Sequence, residues 1–533
     1  MKPPLKPLYK GPIVSNLGNY IQTHTNPPVF VISGSLMIAL VAWASLSPQI
    51  FSAVAHSVND FIATYFGWLF VISMNVFLVF VVSIAASRWG RLRLGANDSR
   101  PEYGTWSWLS MMFTCGMGVG LVYYGVAEPI MLYKNPPMGD GQTAQAAQMA
   151  MNYTFYHWGF SPWGMYIVLG LSLGYFTYRR GLPLKPASAF YPLIGERIYG
   201  PIGHLIDILA VFGTFFGLAT SIGLGASQIA SGLGELFPVG SGLSTQLGVI
   251  LVVEIVAITS VMLGINAGIR RLSLFNVWLA LALAVFVLVA GPTLYILSYL
   301  GTDIGYYIQN FAYTSLHVFT DKQGEQFQTA WTVFTWSWFI SWSPFVGMFI
   351  ARISYGYTIR QFILGTLLVP TGASLVWFVI FGRTALHSIL GNGGDQALLD
   401  ASASQAIFVV LNQLPVAGIL AAIAAVVQIV VVTLFFATSS DSGSLVVDIL
   451  TNGGDPHPIW QQRLFWAVLE GAIAAVLLIA GTLGGGDPLS AIQTASVITG
   501  LPFCLILLAT CVMLYKGLRE ETAAAPQHDS IRS

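Results

Sequence analysis

Apolar runs recur from one end of the chain to the other, each bounded by a few polar, glycine or proline residues. A helix rises about 1.5 Å per residue, so about 20 apolar residues cross a hydrocarbon core of about 30 Å. Twelve runs suit that length: 29–46, 65–86, 106–127, 158–178, 205–232, 245–262, 274–299, 331–353, 362–381, 416–439, 464–483 and 491–514. Backbone polar groups in lipid must pair within their own segment. The runs therefore predict an all-α polytopic membrane protein with twelve transmembrane helices and no separate soluble domain.

Composition agrees: 55% of residues are hydrophobic and 8% charged, against about 25% charged in an ordinary soluble domain. The basic residues test the spans independently, because short cytoplasmic loops collect Lys and Arg. With both termini inside, nineteen of the 22 fall on the inner side, leaving Lys134, Lys322 and Arg383 outside. One missed or invented span would scramble that split. Net charge is zero, and no nucleic-acid partner is expected. Cys115, Cys504 and Cys511 lie in apolar runs and read as small hydrophobes. Residues 1–28 lack an apolar core followed by small cleavage residues, so the first span reads as retained.

Thr105-Trp106-Ser107-Trp108 opens the third run and Thr335-Trp336-Ser337-Trp338 the eighth. An offset of five spans reverses direction in the membrane, the signature of an inverted five-helix repeat. The expected organisation is a cytoplasmic segment (1–28), two peripheral helices (29–104), a first repeat (105–300), an amphipathic connecting helix on the outer face (301–330), a second repeat (331–514) and a cytoplasmic tail (515–533). Both copies contain helix-weakening residues, Gly116-Met117-Gly118-Val119-Gly120 and Ser343-Pro344-Phe345-Val346-Gly347. Close packing through small residues is one reading of them. Matching breaks that flank a binding site are the favoured one.

Trp158, Trp163 and Tyr166 converge on one face if Pro162 loosens the intervening turn, and Trp338 lies opposite on the eighth run. Aromatic faces attract cations by about 0.5–2 kcal/mol each, which suits an onium head that has no N–H to donate. An interfacial aromatic belt is the competing reading. N–H groups freed between Gly116 and Gly120, beside Met117 and Gly118, offer an anion-favouring helix end. Thr438 and Ser439 end the tenth run with hard oxygens for Na⁺, although such hydroxyls often bond back to their own helix. Glu254 and Glu470 lie inside equivalent runs; a structural hydrogen-bonding role is favoured over proton coupling.

The strings GMGVGLVYYGVAEP (Gly116 to Pro129), YHWGFSPWGMY (Tyr156 to Tyr166), WTVFTWSWFISWSPFVGMFIARIS (Trp331 to Ser354) and FFATSSDS (Phe435 to Ser442) resemble the betaine/choline/carnitine transporter family over nearly the whole chain. The resemblance implies a leucine-transporter-like core of five plus five helices, usually a homotrimer in the inner membrane, working by alternating access. It implies an aromatic box of Trp158, Trp163, Tyr166 and Trp338, with Trp342 on the cytoplasmic exit path. It also implies a sodium site of Thr438, Ser439, Phe435, Thr114 and Met117. A second sodium site would involve Thr214 and Phe345, but Leu218 replaces a family threonine there. Phe339 stands where betaine carriers often have another tryptophan, and Gly120 where choline carriers tend to have aspartate.

The expected function is sodium symport of a zwitterionic quaternary ammonium or sulfonium solute, glycine betaine or dimethylsulfoniopropionate. A choline or carnitine carrier, proton-coupled or exchanging, is the alternative. A membrane sensor would need a signalling domain, and an enzyme would need a ligand or nucleophile cluster; the eight histidines are scattered.

Overall fold

The computed structural model describes residues 21, 24–116, 118–263, 266–391, 394–455, 459–485 and 488–529, without the side chains at 113–116, 260–263, 266–272 and 522–529. The main helices are α1 (Pro27–Leu46), α2 (Pro48–Ala86), α3 (Thr105–Gly116), α4 (Val119–Lys134), α5 (Ala144–Trp158), α6 (Phe160–Gly174), α7 (Pro201–Leu236), α8 (Leu243–Leu263), α9 (Asn266–Ala290), α10 (Thr293–Leu316), α11 (Phe334–Arg352), α12 (Ile359–Gly391), α13 (Gly418–Thr451), α14 (Trp460–Leu483) and α15 (Ser490–Asp529). Short helical pieces join them. Among the described residues no strand forms; an isolated bridge pairs Arg93 with Thr358.

Nine of the helical segments among the described residues are long and apolar enough to cross a membrane. The apolar runs at 106–127, 158–178 and 245–262 do not reach that standard as single helices, for different reasons. The first is divided, with Gly118 extended (φ −130°, ψ 179°) at the N-cap of α4. The second loses its first residue to α5, because the chain breaks at Gly159 (φ −94°, ψ −130°) and Trp158 closes that helix, and α6 itself gives way to a π-helical turn at Tyr175–Arg179. Pro162 is not the break. It sits in the first turn of α6, where its missing N–H costs little. The third is a shorter apolar stretch, Leu243–Thr259.

Two further expectations are corrected. The eighth run is not broken at Pro344: α11 passes through it, and the glycine there serves packing. A Cβ on Gly347 would lie 3.1 Å from Leu169 Cβ, and one on Gly170 would lie 2.5 Å from Ile350 Cγ1, so α6 and α11 meet almost backbone to backbone. The connecting helix begins at Thr293, not at 301, because Gly291 and Pro292 end α9 first.

Apolar side chains on α1, α2, α8 and α9 stay exposed on the exterior, among them Phe61, Val79, Leu251 and Trp278. Such an unpartnered apolar surface fits lipid. Inside the bundle α7 is the hub, packed against α11, α13, α14 and α15. A Cβ on Gly213 would meet Ser341 O at 2.7 Å, and one on Gly217 would meet Trp342 N at 3.1 Å. Two buried basic side chains are paired. Lys185 Nζ reaches Asp207 Oδ2 at 2.8 Å. Arg383 is no loop residue but a buried side chain of α12, donating to Asp303 Oδ2 at 2.7 Å and lying 3.9 Å from the Tyr299 ring.

Candidate functional site: an aromatic cluster at two helix breaks

The breaks at Gly118 and Gly159 bring the start of α4 and the junction of α5 and α6 against α11. Gly120 sits between two indoles: a Cβ there would lie 2.5 Å from Trp338 Cη2 and 3.0 Å from Trp158 Cη2. Only a glycine lets both rings approach this backbone. Trp158 and Trp338 cross edge to face at 6.3 Å and 82°. Trp338 is fixed at its far end by its indole N–H, which donates to Gly217 O at 3.0 Å.

Trp163 and Tyr166 pair at 5.5 Å, and they join the other two rings through Phe339. Phe339 lies 5.2 Å from Trp158, 5.1 Å from Trp338 and 6.2 Å from Tyr166. Phe339, standing where betaine carriers often have a tryptophan, thus links all four rings of the cluster. Along α11 the rings Phe334, Trp338, Trp342 and Phe345 stack in sequence, with Trp338 and Trp342 only 4° from parallel. Trp342 faces the first break, since a Cβ on Gly118 would be 3.7 Å from its Cη2. Its buried Nε1 has no hydrogen-bond partner.

Sequence reasoning missed the groups behind the cluster. Tyr124, one turn beyond Gly120, lies 6.1 Å from Trp158 and 6.3 Å from Trp338. Glu128, on the same helix, accepts the Trp158 indole N–H at 2.7 Å and contacts His157 Nδ1 at 2.6 Å. His157 Nε2 in turn meets Thr332 Oγ1 at 3.0 Å. The signal was present as a carboxylate and an imidazole at the edges of apolar runs. The run ending at 127 stopped one residue short of it.

The first turn of α4 begins its intrahelical pairing with Val122 N to Gly118 O, so the N–H groups of Val119, Gly120 and Leu121 lie ahead of it at the positive end of the helix dipole. Rings for a cationic head and a helix end for an anionic one therefore lie side by side. The Glu128 carboxylate stands behind Trp158 with both oxygens hydrogen-bonded.

Of the residues expected at a sodium site, Thr438 and Ser439 are half-buried on α13 and Phe435 is buried. The Thr438 hydroxyl donates to Leu434 O at 2.8 Å, as hydroxyls in helices do. That donation leaves its oxygen lone pairs available. Met117 and the Thr114 side chain lie outside the described residues. Phe436 and Val119 meet over Gly225, which places α13 beside the start of α4. At the second position Thr214 is buried and bonds to Ala210 O at 2.8 Å. Leu218 fills the next turn against Gly443, and Phe345 is committed to the Trp342 stack.

Residues 28–523 match the family described as BCCT, betaine/carnitine/choline family transporter. A glycine betaine transporter of Acinetobacter baylyi is 43% identical over 93% of this chain and 73% of its own length. The glycine betaine transporter 1 of Vibrio parahaemolyticus is 43% identical over 93% and 94%. A glycine betaine/proline/choline/ectoine transporter of the same organism is 40% identical over 93% and 88%. A match of this extent settles the class: the chain is a multi-pass membrane transporter, not an enzyme, and belongs to the betaine/carnitine/choline transporter family.

Proposed function

We propose that this transporter imports a zwitterionic onium solute, glycine betaine or dimethylsulfoniopropionate, by sodium symport and alternating access. The observation that carries the reading is Gly120 held between Trp338 and Trp158 at the start of α4. Indole faces suit a methylated onium head. The adjoining helix end suits a carboxylate without an Arg or Lys. Glycine betaine is also the solute in the names of the relatives above. Thr438 and Ser439 next to the broken helix support sodium coupling. Within this reading the helices form twelve spans with a five-plus-five inverted-repeat core and cytoplasmic termini in the inner membrane, assembled as a homotrimer in lipid.

A choline carrier is the second reading, favoured by the buried Glu128 carboxylate behind Trp158. A binding panel of betaine, dimethylsulfoniopropionate, choline, carnitine and ectoine, followed by tryptophan fluorescence, separates the two. Trp338→Ala is expected to abolish or greatly weaken binding of the preferred solute. Wild-type affinity in that variant would refute the cage. Proteoliposome uptake undiminished without a Na⁺ gradient would remove the coupling.

A further inference from the structure

A second buried constellation lies away from the aromatic cluster, where α8, α13 and α14 pack together. Glu254 on α8 accepts the Ser440 hydroxyl of α13 at 3.0 Å through Oε2. It lies directly over the neighbour of Glu470, since a Cβ on Gly471 would be 2.8 Å from Glu254 Cγ. Glu470 is fully buried, and the groups acting on it electrostatically are Glu254, Ser440 and Asp441. Glu254 Oε1 and both oxygens of Glu470 have no hydrogen-bond partner.

Two carboxylates in this setting cannot both carry charge. A buried ion without a counter-charge costs several kcal/mol, and like charges in one site raise that cost further. The nearby cation does not relieve it, because Arg463 Nη2 is committed to Asp441 Oδ1 at 2.9 Å. The charged groups of α7, Asp207 and Glu235, bond elsewhere, to Lys185 and Asn412. One proton placed between the pair satisfies two of the three orphan oxygens with a single O–H···O bond. The pair then carries one negative charge instead of two.

We propose that Glu254 and Glu470 share one proton, forming a proton-binding site inside the bundle that is separate from the aromatic cluster. Asp441 and Asp448 continue the acidic line along α13 toward the connection to α14. Asp448 is also buried, and both its oxygens lack partners.

The test is infrared difference spectroscopy of the reconstituted full-length transporter near neutral pH, in H₂O and D₂O. The expected result is a protonated-carboxyl C=O band that shifts in D₂O and disappears in Glu470→Gln, while Ser440→Ala, a milder change, moves its frequency. Betaine binding by tryptophan fluorescence reports whether each variant is folded. Absence of any such band in the wild type overturns the proposal without a variant. A band unchanged in both variants overturns it too. Binding of radioactive Na⁺ gives the third arm: loss of bound Na⁺ in Glu470→Gln with no infrared change makes the pair a sodium site and sinks the proton reading.

Discussion

The indole N–H of Trp158 donates to Glu128 Oε2 at 2.7 Å, which ties a ring of the aromatic cluster to a carboxylate on the broken helix. A hydrogen bond to a charged acceptor contributes about 1.5–3 kcal/mol, and each 1.4 kcal/mol is about tenfold in affinity. Glu128→Gln is therefore expected to weaken onium binding about tenfold or more in a fluorescence titration. The loss should be larger in Glu128→Ala, which leaves both the indole and His157 without their acceptor.

Gly120 and Gly118 give a matched pair of variants. A methyl group at 120 would push both indoles away, whereas one at 118 meets ordinary contact with Trp342 at 3.7 Å. Overpacking of this kind costs about 1–3 kcal/mol. Gly120→Ala should lower affinity by at least about tenfold, with Gly118→Ala close to wild type in the same titration. Equal effects in the two variants would remove the steric argument.

Asp207 is the sole carboxylate paired with the buried Lys185 among the described residues, and removing it strands that ammonium. The expected cost is about 3–5 kcal/mol, read as a lowered melting temperature in detergent. Lys185→Met combined with Asp207→Leu should recover most of the loss. A double variant no better than Asp207→Ala would show that shape, and not stranded charge, sets the cost.

Thr438→Ala removes a half-buried hydroxyl on the helix beside the start of α4. The sodium dependence of uptake should move to higher concentration while solute affinity at saturating Na⁺ changes little. Solute affinity lost at every Na⁺ concentration would place Thr438 in the solute site instead.

Much of this fold was legible because hydrocarbon imposes one length and one secondary structure on whatever crosses it. The limits of α1 and α14 sit close to their apolar runs for that reason, whereas α13 runs on to Thr451, well past its run. The sequence was misleading where packing overrode composition. Pro344 looks like a break, yet α11 runs through it with Ser343 Oγ bonded to Ile340 O at 2.7 Å. Gly159 looks unremarkable beside Pro162, yet it ends α5. The four aromatic residues were legible one by one from their ring chemistry. Their connection through Phe339 was not, since it depends on how α6 and α11 cross.

The break at Gly159 is held from outside. The Phe160 N–H that it frees is accepted by the Tyr307 hydroxyl at 3.3 Å, and Tyr307 belongs to the surface helix α10. Trp158 rides on one rod and Trp163 and Tyr166 on the next, so the aromatic cluster has a seam between them. Tyr307 also stacks on Phe160 at 5.9 Å and meets Phe155 edge to face at 5.9 Å, so one side chain of α10 bridges both sides of that seam.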